Sequence, residues 1–167
     1  MPTTEEGLKE AFAGESQANR KYLAFAEKAD KEGFPQVAKL FRAAAASETV
    51  HAHNHLRVMK GIKSTADNLK AAIGGENYEF TKMYPEFIKV AQKEGKKDAE
   101  NSFYLANEVE KIHHKLYETA LKSIEKGKDL EKKDMYVCPV CGYTHEGQPP
   151  EKCPVCGTAK KLFKKID

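Results

Sequence analysis

Four long stretches of the chain repeat apolar residues in alternating steps of three and four, the spacing that puts them on one face of an α-helix. In the first, Leu8, Phe12, Glu15, Tyr22 and Ala29 share a face, and Thr3 with Glu6 has the pattern of a capping box at the start. The second opens after Phe34-Pro35 and carries the stripe Val37, Phe41, Ala44, Glu48, His51, His55 and Val58. The third is expected from about Thr65 to Glu94, with Ala72, Glu76, Glu79, Met83, Phe87 and Val90 inward. Pro85 is expected to kink it, because proline removes a backbone donor and clashes with the preceding turn. The fourth stripe is Phe103, Ala106, Glu110, His113, Tyr117, Ala120 and Ile124, with a stop near Gly127. These seams predict an all-α, antiparallel four-helix bundle over residues 1–127. The charged stretch from Lys126 to Asp134 reads as a linker. Residues 134–167 read as a second, small domain, too short for a self-sufficient apolar core.

The middles of the stripes are not apolar. Each carries glutamate, and two carry histidine, where leucine would be expected. Burying several carboxylates without partners costs several kcal/mol apiece, so a cation is expected among them. The helical region also repeats itself. Leu8 to Glu15 matches Leu69 to Glu76 at five of eight positions, and Glu48 with His51 recurs as Glu110 with His113. Positions i and i+3 share a helix face, so each Glu-x-x-His can bind one metal ion. A bundle core with one Glu from each of two helices and Glu-x-x-His from each of the other two is a di-iron or di-manganese arrangement. Glu-x-x-His alone is a weak signal. Its strength here comes from repetition, inward placement and contributions from all four helices.

Glu79 has no counterpart in the repeat. With it, five carboxylates bring five negative charges against +4 for two ferrous and +6 for two ferric ions. The site's formal charge therefore changes sign on two-electron oxidation. A spare carboxylate beside a neutral histidine offers one iron a harder ligand when ferric and a softer one when ferrous. Glu108 lies on the far side of its helix from Glu110 and reads as a surface residue. His55 continues the second stripe and is a candidate ligand, but it reads better as a core histidine or one bonded to a ligand, and His53, His114 and His145 read as surface. Tyr22 and Tyr84 are open between core packing and hydrogen bonding to a ligand carboxylate.

All four cysteines lie near the C-terminus, in Cys138-Pro139-Val140-Cys141-Gly142 and Cys153-Pro154-Val155-Cys156-Gly157. Glycine after the second cysteine permits positive φ, which lets backbone N–H groups approach the thiolates. Four thiolates make a tetrahedral site for zinc or for a single iron, and the spacing does not choose between them. Tyr136, Tyr143 and Phe163 are candidates to cover it. With 28 basic and 25 acidic residues the formal charge is +3, which gives no reason to expect nucleic acid or a membrane surface as partner. Lys160, Lys161, Lys164 and Lys165 read as a solvated face. The segment from Met1 to Glu6 lacks the basic and apolar regions of a signal peptide, and the expected location is cytoplasmic.

Glu15, Glu48 with His51, Gly75-Glu76-Asn77-Tyr78-Glu79, Met83-Tyr84-Pro85, Glu110 with His113, and the two Cys-Pro-x-Cys-Gly knuckles resemble the rubrerythrin family over nearly the whole chain. The resemblance implies a ferritin-like di-iron bundle joined to a rubredoxin-like domain with one Cys-ligated iron. It implies reduction of hydrogen peroxide to water, with electrons from NADH through a rubredoxin or similar donor protein and its NAD(P)H reductase. It assigns Glu15, Glu48, Glu76, Glu79, Glu110, His51 and His113 as iron ligands, with one iron moving between His51 when reduced and Glu79 when oxidised. Tyr22 and Tyr84 would steady the ligands. Cys138, Cys141, Cys153 and Cys156 would hold the single iron, or zinc in its place.

Two other functions fit parts of the pattern. Iron oxidation and storage uses the same six basic ligands but has no use for Glu79 or for a redox tail. A non-enzymatic adaptor, with a zinc ribbon on a metal-free bundle, leaves the inward glutamates unexplained. The short connector between the second and third helices bears on assembly. A ferritin-like crossover must travel the bundle's length, on the order of 40 Å, and extended chain covers at most ~3.6 Å per residue. A homodimer that swaps helix pairs, so that each di-iron site draws on both chains, is expected unless Gly74-Gly75 breaks the third helix.

Overall fold

The computed structural model describes residues 1–167 as two compact units, Met1–Lys63 and Ser64–Asp167. The first is a pair of helices, α1 (Thr4–Lys31) and α2 (Pro35–Val58), packed along their lengths. Thr3 caps α1 as expected. Its hydroxyl accepts from the Glu6 N–H at 3.2 Å, and the Glu6 carboxylate accepts from the Thr3 N–H at 2.7 Å. Pro35 opens α2 at a position where its missing N–H costs nothing.

The seam between α1 and α2 differs from the expected stripe. Ala26 and Ala29 of α1 meet Ala38 of α2 with Phe41 against them, and Ala45 and Ala52 are buried further along. Alanines let two helices approach closely, and they lie one residue round from Val37, Ala44 and His51. Val37 and Val58, expected inward, are 46% and 66% exposed. Buried Asn19 closes the seam between the alanines, donating from Nδ2 to the Ala45 carbonyl at 2.7 Å and to Thr49 Oγ1 at 2.8 Å.

The second unit begins with one continuous helical run. It consists of α3 (Thr65–Tyr78), a π-helical turn (Glu79–Met83) and α4 (Tyr84–Glu94). The helix passes through Gly74 and Gly75 unbroken. The irregularity expected from Pro85 is the π turn just before it, in which the Tyr84 N–H reaches back five residues to the Glu79 carbonyl. Phe87 and Val90, expected inward, are exposed in this chain, and Ala91 is the buried residue of α4. Gly95, at φ 69°, ends the run, and α5 (Lys97–Ile124) returns alongside it. Tyr84, Phe87 and Phe103 pack their rings together between α4 and α5.

After α5 come three short antiparallel strands, β1 (Met135–Val137), β2 (Thr144–Glu146) and β3 (Lys164–Ile166), in the order β2-β1-β3. Val137 pairs with both Thr144 and Lys164. Lys165 and Lys160 of the basic face make ion pairs with Asp134 and Glu151. β2 is the strand that meets α5. No helix is long and apolar enough to cross a membrane.

Candidate metal centres

Three clusters of ligand-type side chains form, each with its ligand atoms within 4.8 Å of one another: Glu15, Glu48 and His51; Glu76, Glu110 and His113; and the four cysteines. In the first unit, α1 supplies Glu15 and α2 supplies Glu48 and His51. His51 donates from Nδ1 to Glu48 Oε2 at 2.8 Å, with Glu15 Oε1 at 3.9 Å. The His51 side chain is half exposed rather than inward, because the alanine seam takes the neighbouring face of α2. Tyr22 packs on Phe25 and Phe41 and makes no hydrogen bond to these carboxylates. His55 is half-buried on α2, and His53 is exposed.

In the second unit, Glu76 projects from the end of α3 toward Glu110 and His113 on α5. His113 donates from Nδ1 to Glu110 Oε2 at 2.7 Å. Burial and a proton shared with Glu110 push the Glu76 carboxyl up to about 7, with the Glu110 charge acting in the same direction. Glu110 moves the other way. Burial pushes its carboxyl up, but hydrogen bonds from His113 and Glu76 outweigh it and hold the group below the usual range. The hydrogen bond to Glu110 raises His113, and the charges of Glu110, Glu76 and Glu79 add to it. Glu79, on the π turn, is raised by burial and then by the Glu110 charge, so it stands in the same crowd of carboxylates. Without a metal ion, such a cluster must share protons. A divalent cation would take their place, and the donor set of carboxylate oxygens and imidazole nitrogen suits iron or manganese.

The structure gives Tyr117 a place beside the cluster and adds Thr144, which the pattern did not single out. Burial, followed by the charges of Glu76 and Glu110, raises the Tyr117 hydroxyl, and the Tyr117 ring packs beside His113. Burial likewise raises Tyr84, with the charges of Glu79, Glu110 and Glu76 adding to it. His113 Nε2 lies 2.9 Å from Thr144 Oγ1, a residue of β2 thirty-one positions away. His114, expected on the surface, packs edge-on against Phe80 and reaches the Ile73 carbonyl with Nδ1 at 3.3 Å. It turns toward α3 because it lies one residue round from His113. Glu108, expected on the surface, is half-buried and pairs with Lys111 instead of joining the cluster.

The four thiols form a compact quartet. Cys138 and Cys153 are 1% and 3% exposed, and Cys141 and Cys156 are intermediate. Sulfur pairs Cys138–Cys156 and Cys141–Cys153 stand 3.6 and 3.5 Å apart. Tetrahedral coordination with metal–sulfur bonds of about 2.3 Å requires edges of about 3.8 Å, so the quartet fits an ion with little adjustment. Gly142 and Gly157 adopt φ of 83° and 78°, as the knuckle pattern requires, and donate to the Cys138 and Cys153 carbonyls. Burial raises Cys141 and Cys153. Burial also opposes ionisation of Cys156, but hydrogen bonds from Thr158 bring it down to about 6. Tyr143 packs edge-on against Phe163 and donates to His145 Nδ1 at 2.9 Å, so His145 is half-buried rather than on the surface.

A helical protein carrying carboxylate–histidine clusters and a thiolate quartet is a non-haem metalloprotein that pairs a ferritin-like fold with a rubredoxin-like module. The rubrerythrin family model matches residues 6–121, and the model for the rubrerythrin rubredoxin-like domain matches residues 136–164. The chain is 38% identical to rubrerythrin-2 of Clostridium acetobutylicum, over 96% of this chain and 95% of that one. It is 36% identical to nigerythrin of Nitratidesulfovibrio vulgaris, over 96% and 85%. A solved structure of nigerythrin in a mixed-valence state matches with a TM-score of 0.58 at 36% identity, over 99% of this chain and 88% of that one. The chain belongs to the rubrerythrin family.

Proposed function

We propose that this protein reduces hydrogen peroxide to water at a di-iron centre, with electrons delivered through an iron held by Cys138, Cys141, Cys153 and Cys156. The carrying observation is that one compact unit contains both the Glu76–Glu110–His113 cluster, with Glu79 beside it, and the thiolate quartet. An iron-storage protein has no use for the quartet, and a zinc-ribbon adaptor has no use for the carboxylates. Solved structures of nigerythrin in mixed-valence and all-ferrous states support iron as the metal. Peroxide cleavage takes two electrons, which a pair of ferrous ions can supply one each. A thiolate-bound iron is a one-electron centre suited to refilling that pair.

On this reading Glu15, Glu48, His51, Glu76, Glu110 and His113 hold the two irons. Glu79, on the π turn, is the spare carboxylate that would exchange with His51 as the charge of the site changes. Tyr84, within electrostatic reach of Glu79, Glu110 and Glu76, steadies the ligands, and Tyr22, which bonds to no carboxylate in its own unit, joins it only in the assembled centre. The upstream donor would be a rubredoxin or similar protein with its NAD(P)H reductase, in the cytoplasm. The test is anaerobic. The iron-loaded protein is fully reduced, given one equivalent of hydrogen peroxide per di-iron site, and followed by its iron spectra. The expected result is rapid oxidation of two irons per peroxide with no growing ferric mineral. Slow or absent oxidation overturns the reading, and a mineral core favours storage.

The centre is assembled from half-sites of two chains. Each unit contributes one Glu and one Glu-x-x-His, and the connector between α2 and α3, residues 59–64, reaches at most about 22 Å when extended. The run α3–π–α4 is about 45 Å long at 1.5 Å per residue, and it is not shortened at Gly74-Gly75. Leu40, Val50 and Val58 leave an apolar face of α2 exposed in the single chain, as a surface meant for another copy would. Sedimentation of the iron-loaded protein is expected to give a dimer. A monomer with intact di-iron centres would end the exchange of helix pairs.

A further inference from the structure

The two Glu-x-x-His histidines are equivalent in the sequence repeat, but they are not held alike. His51 makes its one hydrogen bond through Nδ1, to Glu48. His113 is held at both nitrogens: Nδ1 lies 2.7 Å from Glu110 Oε2, and Nε2 lies 2.9 Å from Thr144 Oγ1. Thr144 belongs to the thiolate module. It sits on β2 opposite Val137, directly ahead of Cys138, and its hydroxyl donates to the Gly142 carbonyl at 3.4 Å. With its proton turned to Gly142, the Thr144 oxygen presents a lone pair to His113. Gly142, next to Cys141, lies against Val109, the residue before Glu110, with 3.9 Å between an ideal Cβ there and Val109 Cγ1. The first cysteine knuckle and the Glu110–His113 motif are thus braced against each other.

We propose that Thr144 is a positioning residue for His113, by which the thiolate module sets the iron affinity of the helical half-site. By accepting the Nε2–H, Thr144 keeps a proton on Nε2 and holds the ring plane in place, so that a metal takes the place of the Nδ1 proton now given to Glu110. Outer hydrogen bonds of this kind to ligand histidines are worth roughly 10- to 100-fold in metal affinity. The two halves of the centre then differ in kind. The His113 half is rigid and tied to the module, and the His51 half is free to release its ligand. The inference rests on the proposed di-iron centre.

The test uses the full chain with zinc loaded in the thiolate site and ferrous iron titrated anaerobically into the helical site by calorimetry. Thr144→Val, nearly isosteric, is expected to weaken ferrous binding on the order of tenfold and to change the electron paramagnetic resonance line shape of the one-electron-reduced iron pair. Thr144→Ser is expected to restore both to within about twofold. Unchanged helical circular dichroism and zinc content in both variants separate this result from misfolding. A Thr144→Val protein that binds iron and resonates like the parent overturns the proposal, as does a loss that Thr144→Ser fails to rescue. Neither measurement uses peroxide. Failure of the peroxidase reading would show in the parent protein's own oxidation and leave this result independent of it.

Discussion

Cys138→Ser leaves the C-terminal module unfolded while the helices keep their circular dichroism. The module has little else to hold it. Its strands are three residues long, its buried residues are Cys138, Cys153 and Pro149, and Tyr143 with Phe163 makes the one aromatic contact between its ends. A segment of this size cannot bury enough apolar surface to offset its conformational entropy. Metal binding must supply the difference, and a structural four-ligand site is worth on the order of 10 kcal/mol in such small domains. Serine at position 138 removes one thiolate and places a hydroxyl at the most buried atom of the quartet. Limited proteolysis is expected to cut the variant within the module at rates at which the metal-loaded parent resists, and turnover with an external electron donor is expected to fall to background. A single turnover of chemically reduced protein with peroxide is expected to survive at ferrous iron high enough to offset the lost Thr144–His113 bond, because it draws only on electrons already in the helical site. A protease-resistant module in the variant would show that the fold stands without its metal.

What the sequence makes legible here is mostly local. The Thr3–Glu6 capping box involves residues three apart, and the positive φ at Gly142 and Gly157 follows from the knuckle pattern itself. The carboxylates and histidines were legible because they break an apolar stripe at repeated positions. The α1–α2 seam was not, because Ala38, Ala45 and Ala52 carry a weak hydrophobic signal and matter only when another helix comes close. Val37 and Val58 therefore looked like core and are exposed. Pro85 announced an irregularity, but nothing local distinguishes a kink from the five-residue reach of the Glu79–Met83 turn. The Thr144–His113 bond joins elements far apart in sequence, and a threonine on a three-residue strand carries no mark of such a partner. The packing of His114 is hidden from the sequence for a related reason: its face of α5 is defined by Phe80 and Ile73, more than thirty residues away.

Glu110→Gln is expected to act in opposite directions on the metal-loaded and the metal-free protein. In the loaded protein it removes the carboxylate that joins Glu76 to His113, and peroxide oxidation of the reduced centre is expected to be lost. In the metal-free protein the same carboxylate is a source of strain, because its charge and its shared proton help push Glu76 up to about 7. A carboxyl raised on folding binds more protons in the native state than in the unfolded one, so it makes stability fall as pH rises from the ordinary carboxylate range to about 7. His113, also raised, carries the fall further, since its contribution is full below the unfolded histidine pKa and is lost through the higher folded one. Glu110 itself, lowered, acts only at acid pH, where stability rises with pH up to the unfolded carboxylate range. The urea midpoint of the metal-free parent, followed by helical circular dichroism, is therefore expected to drop between about pH 5 and pH 8. In Glu110→Gln the slope should flatten, because Glu76 loses a charged neighbour and His113 loses its strongest partner. At pH 8 the metal-free variant should be at least as stable as the parent, while its ferrous affinity is lower. If the parent's midpoint were level across that range, the crowding of carboxylates around Glu110 would not be a property of the folded chain, and the case for a cation among them would lose its electrostatic basis.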